Sequence, residues 1–215
     1  MRLLNFCFSP LIAVVTFTSW AQTPSYFKPP SSDPAAYRDA DAYQVYSAVL
    51  PMDTWYWENS KTILIVGEIP LREWPIGSPN GSLQGDENFS KAFESIFKSF
   101  DDVNKMQMSL QSELSLQKPY KIVSRNELDA AFHNPSGNSV GDGWEGFRRT
   151  FPNSAGYLIL SGVGFSADKT IALVYVEHRC GGLCGAARYY ILQKRDGRWV
   201  RYSPDGLKSE MTGST

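Results

Sequence analysis

The stretch IALVYVEHRCGGLCGAARYYIL, residues 171–192, places apolar, β-branched and aromatic runs on either side of a glycine-rich segment that holds two cysteines. Runs of that composition, bounded by turn residues, read as strands, and the pair reads as a hairpin. The pattern continues in both directions. YLIL at 157–160 and WVRY at 199–202 are further strands, reached through Ser166-Ala167-Asp168-Lys169 and Asp196-Gly197. Asp-Gly between alternating runs is a strong hairpin signal, because a type I′ turn requires positive φ at both central positions. The expectation is an antiparallel β-meander of about four strands.

Upstream the signals are mostly helical. Asp33-Pro34 reads as an N-cap with proline at the first helical position, and Tyr37, Ala40, Tyr43, Val45, Tyr46 and Val49 follow at helical spacing up to Leu50-Pro51. TILIV at 62–66 is a short continuous apolar run and reads as a buried strand. Residues 70–88 carry three prolines and three glycines and read as a long loop, a length more common in functional elements than in simple connections. Phe93, Ile96, Phe97, Phe100 and Val103 form an amphipathic helical stripe. Residues 106–116 fit helix and strand equally, and 120–123 reads as extended. Ser124 and Glu127 have capping-box spacing ahead of Leu128, Ala131 and Phe132. A Gly/Asn/Ser loop over 134–143 and a short helix over 144–151 complete this part. The fold class expected is therefore α+β, with N-terminal helices packed on the C-terminal antiparallel β-meander.

The N-terminus, MRLLNFCFSPLIAVVTFTSWAQT, has one arginine, an apolar run over 3–17 and small residues at 19 and 21, the pattern of a secretory signal peptide. The apolar run is too short and too interrupted for a spanning helix, so no transmembrane segment is expected in the mature protein. The expected organisation is a signal peptide over 1–21, a Pro/Ser-rich leader over 22–34, a single α+β domain over 35–203 and a polar tail over 204–215. Cleavage before Gln22 would remove Cys7 and Arg2, taking the formal net charge from -1 to -2. So small a charge offers no electrostatic basis for nucleic-acid binding. The expected location is periplasmic or secreted.

Cys180 and Cys184 are then the cysteines of an exported chain, at facing ends of a hairpin whose glycines permit the turn, and pairing is the expectation in an oxidising compartment. The alternative is a metal site: His178, Cys180 and Cys184 supply three soft ligands, with a fourth required from His133, Glu177 or elsewhere. No cofactor motif emerges. Gly162-Val163-Gly164-Phe165-Ser166-Ala167 matches a dinucleotide fingerprint, but the residues after it are strand-like where a helix is required, so the glycines read as a bend or bulge. Glu58, Glu68, Glu73, Asp86 and Glu87 crowd the long loop, and Trp55, Tyr56, Trp57 and Trp74 flank it. Exposed aromatics beside carboxylates suit a carbohydrate or peptide groove, which makes Trp55, Trp57, Trp74, Glu68 and Glu73 candidate binding residues; buried ones are simply core.

Four stretches occur in order: GWEGFRRTFPNSAG at 143–156, VGFSADKTIALVYV at 163–176, CGGLCG at 180–185 and LQKRDGRW at 192–199. Together they resemble a group of uncharacterised exported bacterial proteins. The resemblance implies export, a bacterial source and one α+β domain, and it brings no activity, ligand or catalytic residue. The functional expectation is a non-catalytic extracytoplasmic binding or interaction domain with a structural disulfide. The alternative is a hydrolase or metal-dependent enzyme using His178 with carboxylates of the 58–87 region. That alternative requires His178 within hydrogen-bond reach of a carboxylate or thiolate; a paired Cys180–Cys184 beside an exposed His178 would exclude it.

Overall fold

A computed structural model describes residues 34–71, 87–133 and 143–202, with side chains of the 87–103 helix described from Phe93 onward. The signal peptide, nearly all of the leader, the tail, the 72–86 part of the long loop and residues 134–142 lie outside the described residues.

The hairpin at 171–192 is the longest pairing in the structure. β8 (Ile171–Gly181) and β9 (Cys184–Arg195) run antiparallel from Ile171↔Gln193 to Gly181↔Cys184, with a register shift between Arg179 and Gly181. β10 (Arg198–Arg201) joins β9 through Asp196-Gly197, where both residues have positive φ, 51° and 76°, as the sequence required. β6 (Tyr157–Leu160) pairs antiparallel with β8 on the other side, and the two-residue β7 (Gly164–Phe165) pairs with the start of β8. β6, β8, β9 and β10 are the expected four-stranded meander.

The sheet does not end there. β2 (Ile63–Val66) lies parallel to β6 and to β5 (Tyr120–Val123), which gives a seven-stranded sheet in the order β10-β9-β8-β6-β2-β5, with β7 beside β8. The class is mixed α/β with more strands than the meander alone. The N-terminal helices and the C-terminal meander lie roughly as expected, but the sheet is larger because β2 and β5 extend it beyond β6, the three joined by helical crossovers, as parallel strands must be. These crossovers are α3 (Glu87–Val103), between β2 and β5, and α4 (Arg125–Phe132) with α5 (Trp144–Thr150), between β5 and β6. A second sheet is small: β1 (Ala35–Ala36) and β3 (Glu68–Ile69) flank β4 (Met108–Ser109), all that becomes strand in the ambiguous 106–116 segment.

Strand alternation sends successive side chains to opposite faces of the large sheet, and both are covered. Ile63, Ile65, Leu158, Leu160, Val174, Val176, Tyr190 and Leu192 pack with Tyr43, Val45, Tyr46 and Val49 of α1 (Ala40–Val49) on one face. On the other, Leu173, Tyr175, Tyr189 and Ile191 meet Phe93, Ile96, Phe97 and Phe100 of α3. Beside them Leu64, Val66, Tyr157 and Ile159 meet Leu128, Trp144 and Phe147 of α4 and α5.

Two local readings are corrected and two hold. The first helix starts at Ala40, capped by Asp39, whose carboxylate accepts from the Asp41 and Ala42 amides at 3.0 and 3.3 Å. Asp33-Pro34 cannot cap it because Ala35–Ala36 is extended, paired with β4. A further helix, α2 (Thr54–Asn59), follows a 3-10 turn at Leu50–Met52, where the sequence reading had none. The capping box is complete: the Glu127 amide donates to Ser124 Oγ at 3.2 Å and the Ser124 amide to Glu127 Oε2 at 2.9 Å. The 162–167 glycine motif opens no helix, and Gly164 instead lets α3 approach the sheet. A Cβ there would stand 2.5–2.6 Å from Phe100 backbone atoms.

Gly164→Ala is expected to destabilise the protein by about 1–3 kcal/mol, because backbone rather than a flexible side chain must yield. Urea denaturation checks this; an unchanged midpoint would contradict it.

Candidate functional site

The sequence singled out His178, and the structure supplies its partner. β8 directs His178 to the α1 face, opposite Leu158 of β6 and Ala186 of β9. There its Nδ1 lies 2.5 Å from Oδ2 of Asp53, with both side chains about 95% buried. Asp53 is the N-cap of α2: its Oδ1 accepts from the Tyr56 amide at 3.3 Å. The carboxylate thus does two things, ending a helix and meeting a histidine 125 residues away.

Burial pushes the Asp53 carboxyl upward, but the hydrogen bond and charge of His178, the Tyr56 amide and the Arg188 guanidinium outweigh it and hold the pKa below the ordinary carboxylate value. An ionised carboxylate only accepts, so Nδ1 of His178 carries the shared proton. Arg188, from β9, approaches the same Oδ2 at 3.8 Å.

The helix that Asp53 starts brings two aromatic rings over the imidazole. Trp55 and Tyr56 stack near-parallel to it, at 5.3 and 6.0 Å between centroids and 21° and 22° between planes. Tyr56 is fully buried; its hydroxyl donates to the Gly156 carbonyl at 2.9 Å, receives the Leu64 amide at 3.1 Å and meets Ser154 Oγ at 3.0 Å. Trp55 is 46% exposed and presents indole surface beside the site.

Cys180 and Cys184 form a disulfide with Cα atoms 5.0 Å apart, which closes the tip of the β8–β9 ribbon. Leu183 stands at that tip, fully exposed. With the sulfurs joined, neither is available as a thiolate ligand beside His178. Among the described residues no group of three or more His, Cys, Asp and Glu side chains is placed to hold a metal ion.

The other sequence candidates disperse. Trp57 is partly buried against the core, with the Lys118 ammonium 5.3 Å over its ring and donating to its carbonyl. Glu68 sits on β3, its Oε1 accepting from the Arg125 amide at 3.2 Å. Glu58 is exposed on α2, and His133 is exposed at the end of α4. Glu73, Trp74 and Asp86 lie outside the described residues, as does the side chain of Glu87. None of the described 58–87 carboxylates meets His178; its partner is Asp53, which the sequence reading passed over.

Chemically, an aspartate that holds Nδ1 orients the imidazole and strengthens Nε2 as a base. Among the described residues Asp53 is the hydrogen-bond partner of the His178 side chain, and the pair joins the N-terminus of α2, with Trp55 in its first turn, to the sheet. Comparison with family models, curated proteins and solved structures finds no match to this chain.

Because the folded pKa of Asp53 is depressed, its contribution to stability is present above the unfolded value of about 3.9 and is lost as pH falls through the folded value. Asp53→Asn is expected to cost about 1–3 kcal/mol near neutral pH. Its deficit relative to the unmodified chain should shrink on acidification below about pH 4, because there the unfolded carboxylate binds a proton first and the folded one follows at its lower value. Urea midpoints for both proteins across pH 2–7 check this, and a pH-independent deficit would contradict it.

Proposed function

We propose that the chain is a non-catalytic extracytoplasmic binding or interaction domain, exported through its N-terminal signal and braced by the Cys180–Cys184 disulfide. The observation that carries this reading is what gathers at one end of the sheet: a covalently closed hairpin tip presenting fully exposed Leu183, near a half-exposed Trp55 that the buried Asp53–His178 pair holds in place. Rigid presentation lowers the entropic cost of binding, since little remains to be ordered when a partner arrives. Exposed aromatic and apolar anchors are the residue types that dominate contact energies. The disulfide serves shape more than stability. Its loop is so short that the chain-entropy argument gives only about 2 kcal/mol.

A hydrolase is the second reading, favoured by one observation. His178 does meet a buried carboxylate, as a general base would, although the carboxylate is Asp53.

A photo-reactive residue placed at 183 in the exporting cell is expected to give a discrete covalent adduct that the same residue at exposed Glu94 on α3 does not give. Trp55→Ala should reduce its yield. Equal labelling from 183 and 94, or a hydrolytic turnover abolished by His178→Gln in a folded chain, would overturn the proposal. Cys180→Ser with Cys184→Ser should lower stability by about 2 kcal/mol or less and leave the fold intact; denaturation with and without reductant checks that figure.

A further inference from the structure

The last hairpin is strongly basic. Residues 184–202 carry Arg188, Lys194, Arg195, Arg198 and Arg201 against a single acid, Asp196, in a chain whose formal net charge is only -1. β10 ends the strand order and pairs with β9 alone, so its other edge is open among the described residues. The ladder fixes which groups face that edge. Tyr202 donates its amide to the Ile191 carbonyl at 2.8 Å, and alternate residues of an antiparallel strand turn the same way. Arg198 and Val200 therefore point their backbone groups to β9, while the N–H and C=O of Trp199 and Arg201 point outward. Among the described residues no group meets them. Arg198 stands on the α3 face, directly opposite Arg195, and Arg201 on the α1 face, its guanidinium carbon 5.6 Å from the Tyr190 ring centroid. All three arginines are exposed, as is Val200, and among the described residues none of the three pairs with a carboxylate. One edge charge is enough to discourage a second copy; a cross-strand pair of arginines exceeds that need and destabilises its own hairpin.

We propose that the open edge of β10 takes up an extended acidic segment of a partner protein as an added strand of the sheet. This edge lies at the other end of β9 from the Leu183 tip and does not depend on it, so it gives the chain a second surface. Strand addition satisfies the outward backbone groups of Trp199 and Arg201. Residues of the incoming strand then stand opposite those of β10, about 5 Å away between Cβ atoms, and the arginines select them. A carboxylate opposite Arg198 is within reach of its guanidinium fork, with Arg195 on the same face adding charge; a second carboxylate, three positions along, meets Arg201 on the other face. The two positions between lie opposite Trp199 and Val200 and take apolar side chains. The pattern selected is acid-apolar-apolar-acid, which reads the same in both directions and so fits a parallel or an antiparallel approach. A second copy of β10 is disfavoured by its own charge, since pairing two copies antiparallel about their centre sets Arg198 against Arg201.

The test is fluorescence anisotropy of a labelled peptide, Ser-Ser-Asp-Val-Val-Asp-Ser-Ser, titrated with the exported chain. One control peptide has both aspartates replaced by asparagine, and another has the core reordered to Asp-Asp-Val-Val. The expected result is saturable binding that weakens with salt and is about tenfold tighter than that of either control. Arg198→Gln and Arg201→Gln should each weaken it about tenfold, whereas Arg149→Gln, an exposed arginine of α5, should leave it unchanged. Methylating one alternate set of the peptide's backbone amides should abolish binding, and methylating the other set should not, because only one set faces β10. Absence of peptide binding, including the case in which the chain binds phosphatidylglycerol vesicles instead, would overturn the proposal. So would equal affinity for the reordered peptide, affinity unchanged in both β10 variants, or indifference to which amides are methylated. The crosslink from position 183 reads the other surface, so a failure of either result is distinct from a failure of the other.

Discussion

A carboxylate and an imidazole are buried together under α2, and each makes sense only because of the other. Removing an ionised carboxylate from water is costly unless it is paired and hydrogen-bonded. Asp53 meets that requirement with the Tyr56 amide on one oxygen and His178 on the other. Since Asp53 is also the first fixed point of α2, the bond to His178 dictates where that helix lies on the sheet. Trp55 and Tyr56 follow from its first turn, one half-exposed beside the site and one anchored to Leu64 and Gly156 in the core.

The surface on which this pair is built is the β8–β9 ribbon. Eleven and twelve residues long, these two strands extend past the end of β6, whose pairing with β8 stops at Arg179. Beyond that point, among the described residues, no strand pairs with β8 on the β6 side, and the disulfide holds the two strands of the ribbon together where the register shifts. Closer to the centre both faces of the ribbon are covered, by α1 on one and by α3 on the other. Leu183 stands exposed at the disulfide end of the ribbon, while Arg188, opposite Val176, lies farther in where β6 still pairs with β8.

Much of the fold is legible in the residues because the signals are local. Asp196-Gly197 announces its positive φ angles, Ser124 and Glu127 their reciprocal cap, and Phe93 to Phe100 the stripe that seals one face of the sheet. The continuous apolar run 62–66 correctly signals a doubly buried strand. Its position among parallel neighbours is not local: it depends on pairings with Tyr120–Val123 and Leu158 that no spacing reveals. The site divides in the same way. Cys180 and Cys184 are four apart and their bridge is readable, whereas Asp53 and His178 are 125 apart. The signal for Asp53 was present, an aspartate just before Thr54-Trp55-Tyr56, but Pro51 closes one helix so near that it masks the start of the next. Arg198 and Arg201 carry no motif at all; only the strand order puts them on a sheet edge.

The central claim is that the Asp53–His178 bond is an internal clamp that fixes α2 on the ribbon. A double-mutant cycle in urea, with Asp53→Asn, His178→Gln and the double variant, tests it most directly. The account predicts a coupling of about 1.5–3 kcal/mol, as for a buried hydrogen bond to a charged group, together with increased exposure of Trp55 fluorescence in each single variant. A coupling near zero, with the Trp55 signal unchanged, would show that α2 is held by its other contacts and would contradict the account.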